Sequence, residues 1–427
     1  MTRLPNLLAA RLPFFYGWIV LGVICCVSFA RQGPAVATLS IFVDPMTSEL
    51  GWSRTSISAA VSIGGLLAAI VSPGLGPLVD RHGARSLLAW AVALTGICCI
   101  ALARIETLVA FYLLFCIARM NFAGPFDLGI YGAINNWFVR LRPIATSIST
   151  LWLMIGLTAM PLIAHTAMHV GGDWRWGWIA VGSTVLIVGF LPTVLLLARR
   201  PEDLGQEPDG GPLVRNRPAG TDGESDERQP MYSRAEAMRE PAFWLLLLFT
   251  FLAYPVQAGV SLHQAPHLVE RGLDPTTAAF VVSAFSATSG LVGFLIGPLV
   301  RPLGTRFVLV AVGAFLAAGS WLMTTVDGPA TAFLASALFG CGIGGLLTVP
   351  PIAWADTFGR QSFGAIRGVA LSVQVTGQAI GPVLSGALRD WTGSYLLSLQ
   401  VFMALAMCAA ACAVFLKPPR PIPLSQP

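Results

Sequence analysis

Charge is what this chain has least of. Asp, Glu, Lys and Arg together make up 11% of its residues, against 55% hydrophobic, and the mean hydropathy is +0.72. A water-excluded globular core cannot hide that much apolar surface, so the composition excludes an ordinary soluble protein and makes lipid the solvent. Strict alternation is also missing. The apolar runs are continuous and far exceed the roughly ten residues of a barrel strand, which excludes a transmembrane β-barrel. There is no Gly-x-Ser-x-Gly, no His-Glu-x-x-His and no pair of carboxylates at a shared depth, so neither an enzyme nor a bound cofactor is expected. Loop cysteines are lacking as well: Cys25, Cys26, Cys98, Cys99, Cys116, Cys341, Cys408 and Cys412 all lie in apolar runs, where they read as small packing residues rather than disulfides. Basic residues are dispersed among run ends with no recognition fold beside them, which leaves a nucleic-acid partner without support.

What the chain does have is a dozen apolar stretches of spanning length, near 15–40, 55–79, 86–103, 108–133, 143–168, 174–198, 243–264, 276–299, 306–326, 330–355, 366–389 and 393–416. Threaded with the N-terminus in the cytoplasm, most arginines fall on the inner side and only Arg54, Arg104, Arg175, Arg271 and Arg389 on the outer, with Arg31 and Arg119 inside apolar runs. That asymmetry fits the positive-inside rule, so the net charge of +5 reports membrane orientation and both termini are expected to be cytoplasmic. Residues 199–240 break the rhythm with Pro, Gly, Asp, Glu and Arg. The expected organisation is a six-helix unit over 1–198, a linker over 199–240 with a disordered middle, a second six-helix unit over 241–417 and an unstructured tail over 418–427. Within the linker, Ser233–Arg239 is permissive for a short surface helix.

One string occurs twice. Gly76-Pro77-Leu78-Val79-Asp80-Arg81-His82-Gly83-Ala84-Arg85 returns half a chain later as Gly297-Pro298-Leu299-Val300-Arg301-Pro302-Leu303-Gly304-Thr305-Arg306, each copy lying between two apolar runs as expected of a duplicated membrane protein. The small residues Gly64, Gly65 and Gly377-x-x-x-Gly381-Pro382-x-x-x-Gly386 permit close helix approach, and a role in packing or in rocking is open for each.

Charged groups inside apolar runs are costly and default to functional candidates. Arg31 lies roughly 24 Å along the first run and Arg119 about 16 Å into the fourth, counted at 1.5 Å per residue. If both face a central cavity, two permanent cations converge on an anion, most simply a carboxylate. The alternatives are that Arg31 reaches the outer surface and that Arg119 serves helix carbonyls or Asp127. Gln32, Asn121, Tyr254, Gln257 and His263 complete the candidate lining, and Asp127 and Asp356 are candidates for coupling to protons. His263 and His267, like His165 and His169, are four apart, but no carboxylate completes a ligand set and no metal site is expected.

The Gly-x-Leu-x-Asp-Arg-x-Gly-x-Arg string resembles the loop motif of the major facilitator superfamily. Further pieces are similar to its monocarboxylate-transporter-like group, which includes oxalate/formate antiporters: Gly17-Trp18, Gly51-Trp52-Ser53-Arg54, Asn136-Trp137-Phe138, Arg200-Pro201-Glu202-Asp203-Leu204-Gly205, and Phe358-Gly359-Arg360 with Phe363-Gly364 and Gly368. The resemblance implies an all-α polytopic membrane protein with twelve transmembrane helices in two pseudo-symmetric six-helix bundles. It implies a cavity lined by the first, fourth, seventh and tenth spans, and alternating access by rocking. It also implies gating by Asp80, Arg81, Gly83 and Arg85, with Asp80 and Arg85 in a cytoplasmic latch between the halves. Asp80 suits a neighbouring helix N-terminus or an arginine, whereas the second copy carries Arg301 at that place, so the latch is expected to be one-sided. Carboxylate carriers of this group commonly have a cation in the eighth span, where this chain has only Ser283, Ser286, Thr288 and Ser289 as polar groups; Arg31 and Arg119 would replace it.

The expected function is secondary transport of a small organic anion across a plasma membrane, in a bacterium the inner membrane, coupled to protons or a counter-anion by a monomer in the lipid bilayer. Efflux of amphipathic compounds and a non-transporting membrane sensor are the alternatives.

Overall fold

The structure is a computed structural model that describes residues 3–210 and 232–417. The expectations of a disordered linker middle and an unstructured tail concern 211–231 and 418–427 and lie outside the described residues. Among the described residues there is no strand, and ten helices are long and apolar enough to cross a membrane. They are Arg54–His82, Ala84–Arg104, Leu108–Trp137, Arg142–Gly171, Trp174–Leu196, Pro241–Glu270, Pro275–Leu303, Thr305–Thr324, Pro329–Phe358 and Leu396–Val414. Two further crossings complete twelve spans in two six-helix halves. The first span is divided into Gly17–Ala30 and Val36–Leu50, and the eleventh, Phe363–Thr392, is 30 residues long but carries a polar face.

Two spans are broken where a continuous helix was expected, each at a Gly-Pro pair. In the first span the chain leaves the helix at Arg31 and re-enters after Pro34, continuing to Leu50 rather than stopping near 40. The fourth breaks at Gly124, whose φ of −111° and ψ of −83° are not helical, and restarts with Pro125 at the first position of a new helix, Pro125–Trp137. Proline cannot donate the amide that would continue a helix and disfavours helical geometry in the residue before it, so Gly33-Pro34 and Gly124-Pro125 each stop one helix and start another. A π-helical turn in the sixth span, Val185–Phe190, lies against the first break, with Gly189 and Val185 packed on Ala30 and Gly33.

The halves touch along two pseudo-symmetric seams at the end of the molecule that carries the termini. On one seam the second span meets the eleventh so closely that a Cβ at Gly76 would fall 2.1 Å from the Gly364 carbonyl oxygen. On the other the eighth meets the fifth, where a Cβ at Gly297 would fall 2.2 Å from the Ser147 hydroxyl. Only glycine allows backbones this near. Away from the termini both seams relax, to 3.6 Å at Gly65 against Val375 and 3.6 Å at Gly290 against Met154. The run at Gly377 and Gly381 is filled instead by the seventh span, since Gly381 faces the Pro255 carbonyl and Gly377 the Pro255 ring, and so packs within one half. All eight cysteines are free thiols.

Candidate functional site

The two helix breaks lie side by side. Breaking the fourth span releases the carbonyl of Phe122, and Arg31, at the break of the first, donates its Nε to that oxygen at 2.9 Å. The Phe122 ring lies beneath two cations, the Arg31 guanidinium at 4.8 Å and that of Arg119 at 4.2 Å from its centroid. Arg31 is 8% exposed and turned inward, so the alternative of a side chain reaching the outer surface is corrected. Arg119 enters where Gly64 of the second span leaves no Cβ to obstruct its stem. Its Nε and Nη1 are buried with no hydrogen-bond partner among the described residues.

Asp127 sits in the first turn of the restarted helix, where the helix dipole favours an anion. Its carboxylate lies 3.8 Å from Arg31 Nη2 and, across the divide between halves, 3.1 Å from Arg367 Nη2. Asp127 thus pairs with Arg31 and Arg367. Arg367 was read as one of the inner-side charges that orient the protein in the membrane; it is instead 1% exposed within the eleventh span. It donates to Gln374 Oε1 at 2.8 Å and keeps Nη1 without a partner. Tyr131 and Tyr254 stand beside it, donating to the carbonyls of Leu347 at 3.4 Å and Leu346 at 3.3 Å. In the second half the cation of this cluster thus stands on the eleventh span. A signal for it existed in the spacing of Arg367 and Gln374, seven apart and on one helix face, but its partner is 240 positions away.

The other candidates divide. Gln32 is buried at the first break, its carbonyl accepting from Thr38 at 2.8 Å. Tyr254 belongs to the cluster. Asn121 does not: its amide turns away to the Thr95 hydroxyl at 3.2 Å and the Ala91 carbonyl, both in the third span. Gln257 accepts from Gln378 at 3.2 Å inside the second half. His263 stacks on Tyr395 at 5.2 Å near the end remote from the termini and bonds the Gly259 carbonyl of its own helix. Asp356, expected to serve coupling, is engaged by Arg142 in an ion pair between the halves at the termini end and by Thr305 at 3.4 Å.

The duplicated string occupies the seam. Asp80 accepts from the amides of Gly364 and Ala365, both at 2.8 Å, and so caps the start of the eleventh span across the halves. Arg85 donates to the Val194 carbonyl of its own half at 2.5 Å. Gly83, at φ +81°, makes the turn, the stem of Arg199 covers it, and Arg199 also donates to the Arg81 carbonyl. At the second seam the missing acid is made good from the linker. Asp209 receives the amides of Val139, Arg140 and Leu141 at 2.6 to 3.2 Å, just before the fifth span. Glu202 closes on Arg360 of the other half at 2.7 Å.

The comparisons with known proteins agree with this architecture. The Major Facilitator Superfamily model matches residues 20–268 and 258–427. Monocarboxylate transporter 2 of Homo sapiens is 21% identical, over 94% of this chain and 84% of that protein. Aspyridones efflux protein apdF of Emericella nidulans is 22% identical over 80% of this chain, which spans 64% of that protein's length. The solved structure of the proton:xylose symporter XylE bound to 6-bromo-6-deoxy-D-glucose has the same fold at a TM-score of 0.74 and 12% identity, covering 94% of this chain and 96% of that one. With the family model spanning both halves, the chain belongs to the Major Facilitator Superfamily, as a multi-pass membrane transporter that resembles the monocarboxylate transporter group.

Proposed function

We propose that this protein is a secondary transporter for a small organic anion, a carboxylate in the first instance, which binds among Arg31, Arg119 and Arg367. The observation that carries the reading is Arg119, whose Nε and Nη1 are buried and unpartnered among the described residues, over the same Phe122 ring as Arg31, which in turn shares Asp127 with Arg367. A buried charge without a partner is costly, and an anionic solute relieves that cost. The arrangement of two broken helices at one depth, with an anion at a half-helix N-terminus, also suits a transport site.

The termini face the cytoplasm of a plasma membrane, the end at which the seams at Gly76 and Gly297 are closed. Asp127 is the coupling group. It bridges cations of both halves, so protonation or replacement by the substrate frees Arg367 and lets the halves part at the cytoplasmic end. The units 1–198 and 241–417 rock as bodies about the site, and one chain is sufficient for the cycle.

Uptake of labelled carboxylates into proteoliposomes, with and without a pH gradient, tests this reading. Arg119→Ala is expected to abolish uptake while the protein stays folded; unchanged kinetics would remove Arg119 from the site.

A second reading, efflux of amphipathic compounds, has one observation in its favour. Past Gly65 the second and eleventh spans part around an apolar groove of about 460 Å³, lined by Leu66, Ala69, Val375, Ile380, Val383 and Leu384, through which such a compound would enter from the bilayer. The same liposomes tested with amphipathic cations separate the two.

A further inference from the structure

We propose that the protein binds a divalent transition-metal ion through His165 and His169, at the end of the fifth span remote from the termini. The site shares no residue with the central cluster and does not depend on the anion reading.

Five histidines occur in the chain, and three of them are held by backbone carbonyls. His82 Nδ1 lies 3.3 Å from the Leu78 oxygen, His263 bonds Gly259 and stacks on Tyr395, and His267 is buried against Met323 at 2.8 Å. His165 and His169 differ. Both are exposed, neither ring has a hydrogen bond among the described residues, and their ring contact is with each other, centroids 4.3 Å apart and planes at 77°. Four residues apart on a helix, they stand one above the other on one face, where each can turn a nitrogen to a shared ion at about 2 Å.

Spacing alone does not make a metal site, and among the described residues no group of three or more His, Cys, Asp or Glu could hold a metal ion. The surroundings supply the second argument. Both histidines line a cavity of about 520 Å³ between the fifth span and the second segment of the first, whose wall includes Ser48, Glu49 and Asp173. The helices Val36–Leu50 and Arg142–Gly171 both end at this cavity, so the negative poles of two helix dipoles meet there. Glu49 and Asp173 bring two carboxylates against one cation, Arg175, which lies 2.7 Å from the first and 3.2 Å from the second. The cavity therefore favours a cation, and imidazole ligands select zinc, copper or nickel over calcium and magnesium. Glu49 spends its two oxygens on Trp174 Nε1, at 2.6 Å, and on Arg175, so it acts through its field while water completes the coordination.

Titration of the purified, detergent-solubilised full chain, carrying no polyhistidine tag, with zinc and with nickel tests the site. One ion per chain is expected, and His165→Ala or His169→Ala is expected to weaken its binding about 100-fold, the gain that joining two binding groups supplies. His263→Gln is expected to leave the affinity unchanged. Zinc should raise the melting temperature of the unaltered protein and not that of either alanine variant, whose melting without metal should match the wild type because both side chains are exposed. Undiminished affinity in the variant with both His165→Ala and His169→Ala would place the metal elsewhere and overturn the proposal. Equal weakening by His263→Gln would do the same, as would binding of neither ion by the unaltered protein.

Discussion

Arg367 and Asp127 are 240 positions apart, belong to different halves and meet at 3.1 Å in the buried centre of the protein. Each is almost wholly shielded from solvent, so neither tolerates the loss of the other. Removing one member of a buried pair costs about 3–5 kcal/mol, whereas neutralising both strands neither of them and leaves only the longer contact of Arg31 unmet. Asp127→Ala is expected to lower the melting temperature in detergent markedly, and Asp127→Asn with Arg367→Gln to recover most of that loss. A double-mutant cycle with no coupling would show that the bridge adds nothing to stability.

The contact of Asp80 with the first amides of the eleventh span predicts a conformational effect. Asp80→Asn halves the acceptor capacity and removes the charge that favours a helix N-terminus. Cysteines placed on the termini side of the fourth and tenth spans should then react faster with thiol reagents. Unaltered labelling would contradict this assignment.

Gly76 and Gly297 should be equally intolerant, because each lets two backbones touch. An added methyl at either meets an oxygen within 2.1 to 2.2 Å, so the seam must open. We expect Gly76→Ala and Gly297→Ala to bias the protein toward the state open at the termini end, with reduced transport and retained expression. Wild-type transport by either variant would mean that the seam does not need to close so far.

Asp209 stitches the linker to the start of the fifth span through three consecutive amides. Asp209→Ala is expected to destabilise the first half by about 1–3 kcal/mol, because three amides of the turn before the fifth span lose their acceptor, read as a shift of thermal melting. Glu202→Gln removes a half-exposed ion pair with Arg360 and should cost less, under about 1 kcal/mol. The reverse ranking would place the linker's main hold at Glu202.

The spans were legible because a chain in lipid must satisfy its backbone internally, so length and apolarity alone mark helices such as Arg142–Gly171 and Pro275–Leu303. The fold class was legible for the same reason, aided by the doubled string, and the meeting of Asp80 with a helix N-terminus followed from its charge. The breaks at Gly33-Pro34 and Gly124-Pro125 stood in the sequence as two Gly-Pro pairs, each a few residues after an arginine in a span, yet hydropathy averages over such pairs and reads both spans as continuous. Arg367 was the main miss. A charge in the second turn of a span has the same hydropathy whether it faces headgroups or a carboxylate on another helix, so Arg367, Arg142 and Arg360 all passed for signs of membrane orientation, although each bonds across the halves.

By itself the sequence determined that this protein lives in a membrane, that it is built from two related sets of helices, and that cations sit where lipid would not tolerate them alone. Those properties depend on composition and local order, which lipid reads residue by residue. Only the tertiary structure decided which cations share a site. Asp127 chooses Arg31 and Arg367 over Arg119, and Asn121 and His263 turn elsewhere, because helix rotation and the closeness of the glycine seams are set by packing between segments hundreds of residues apart.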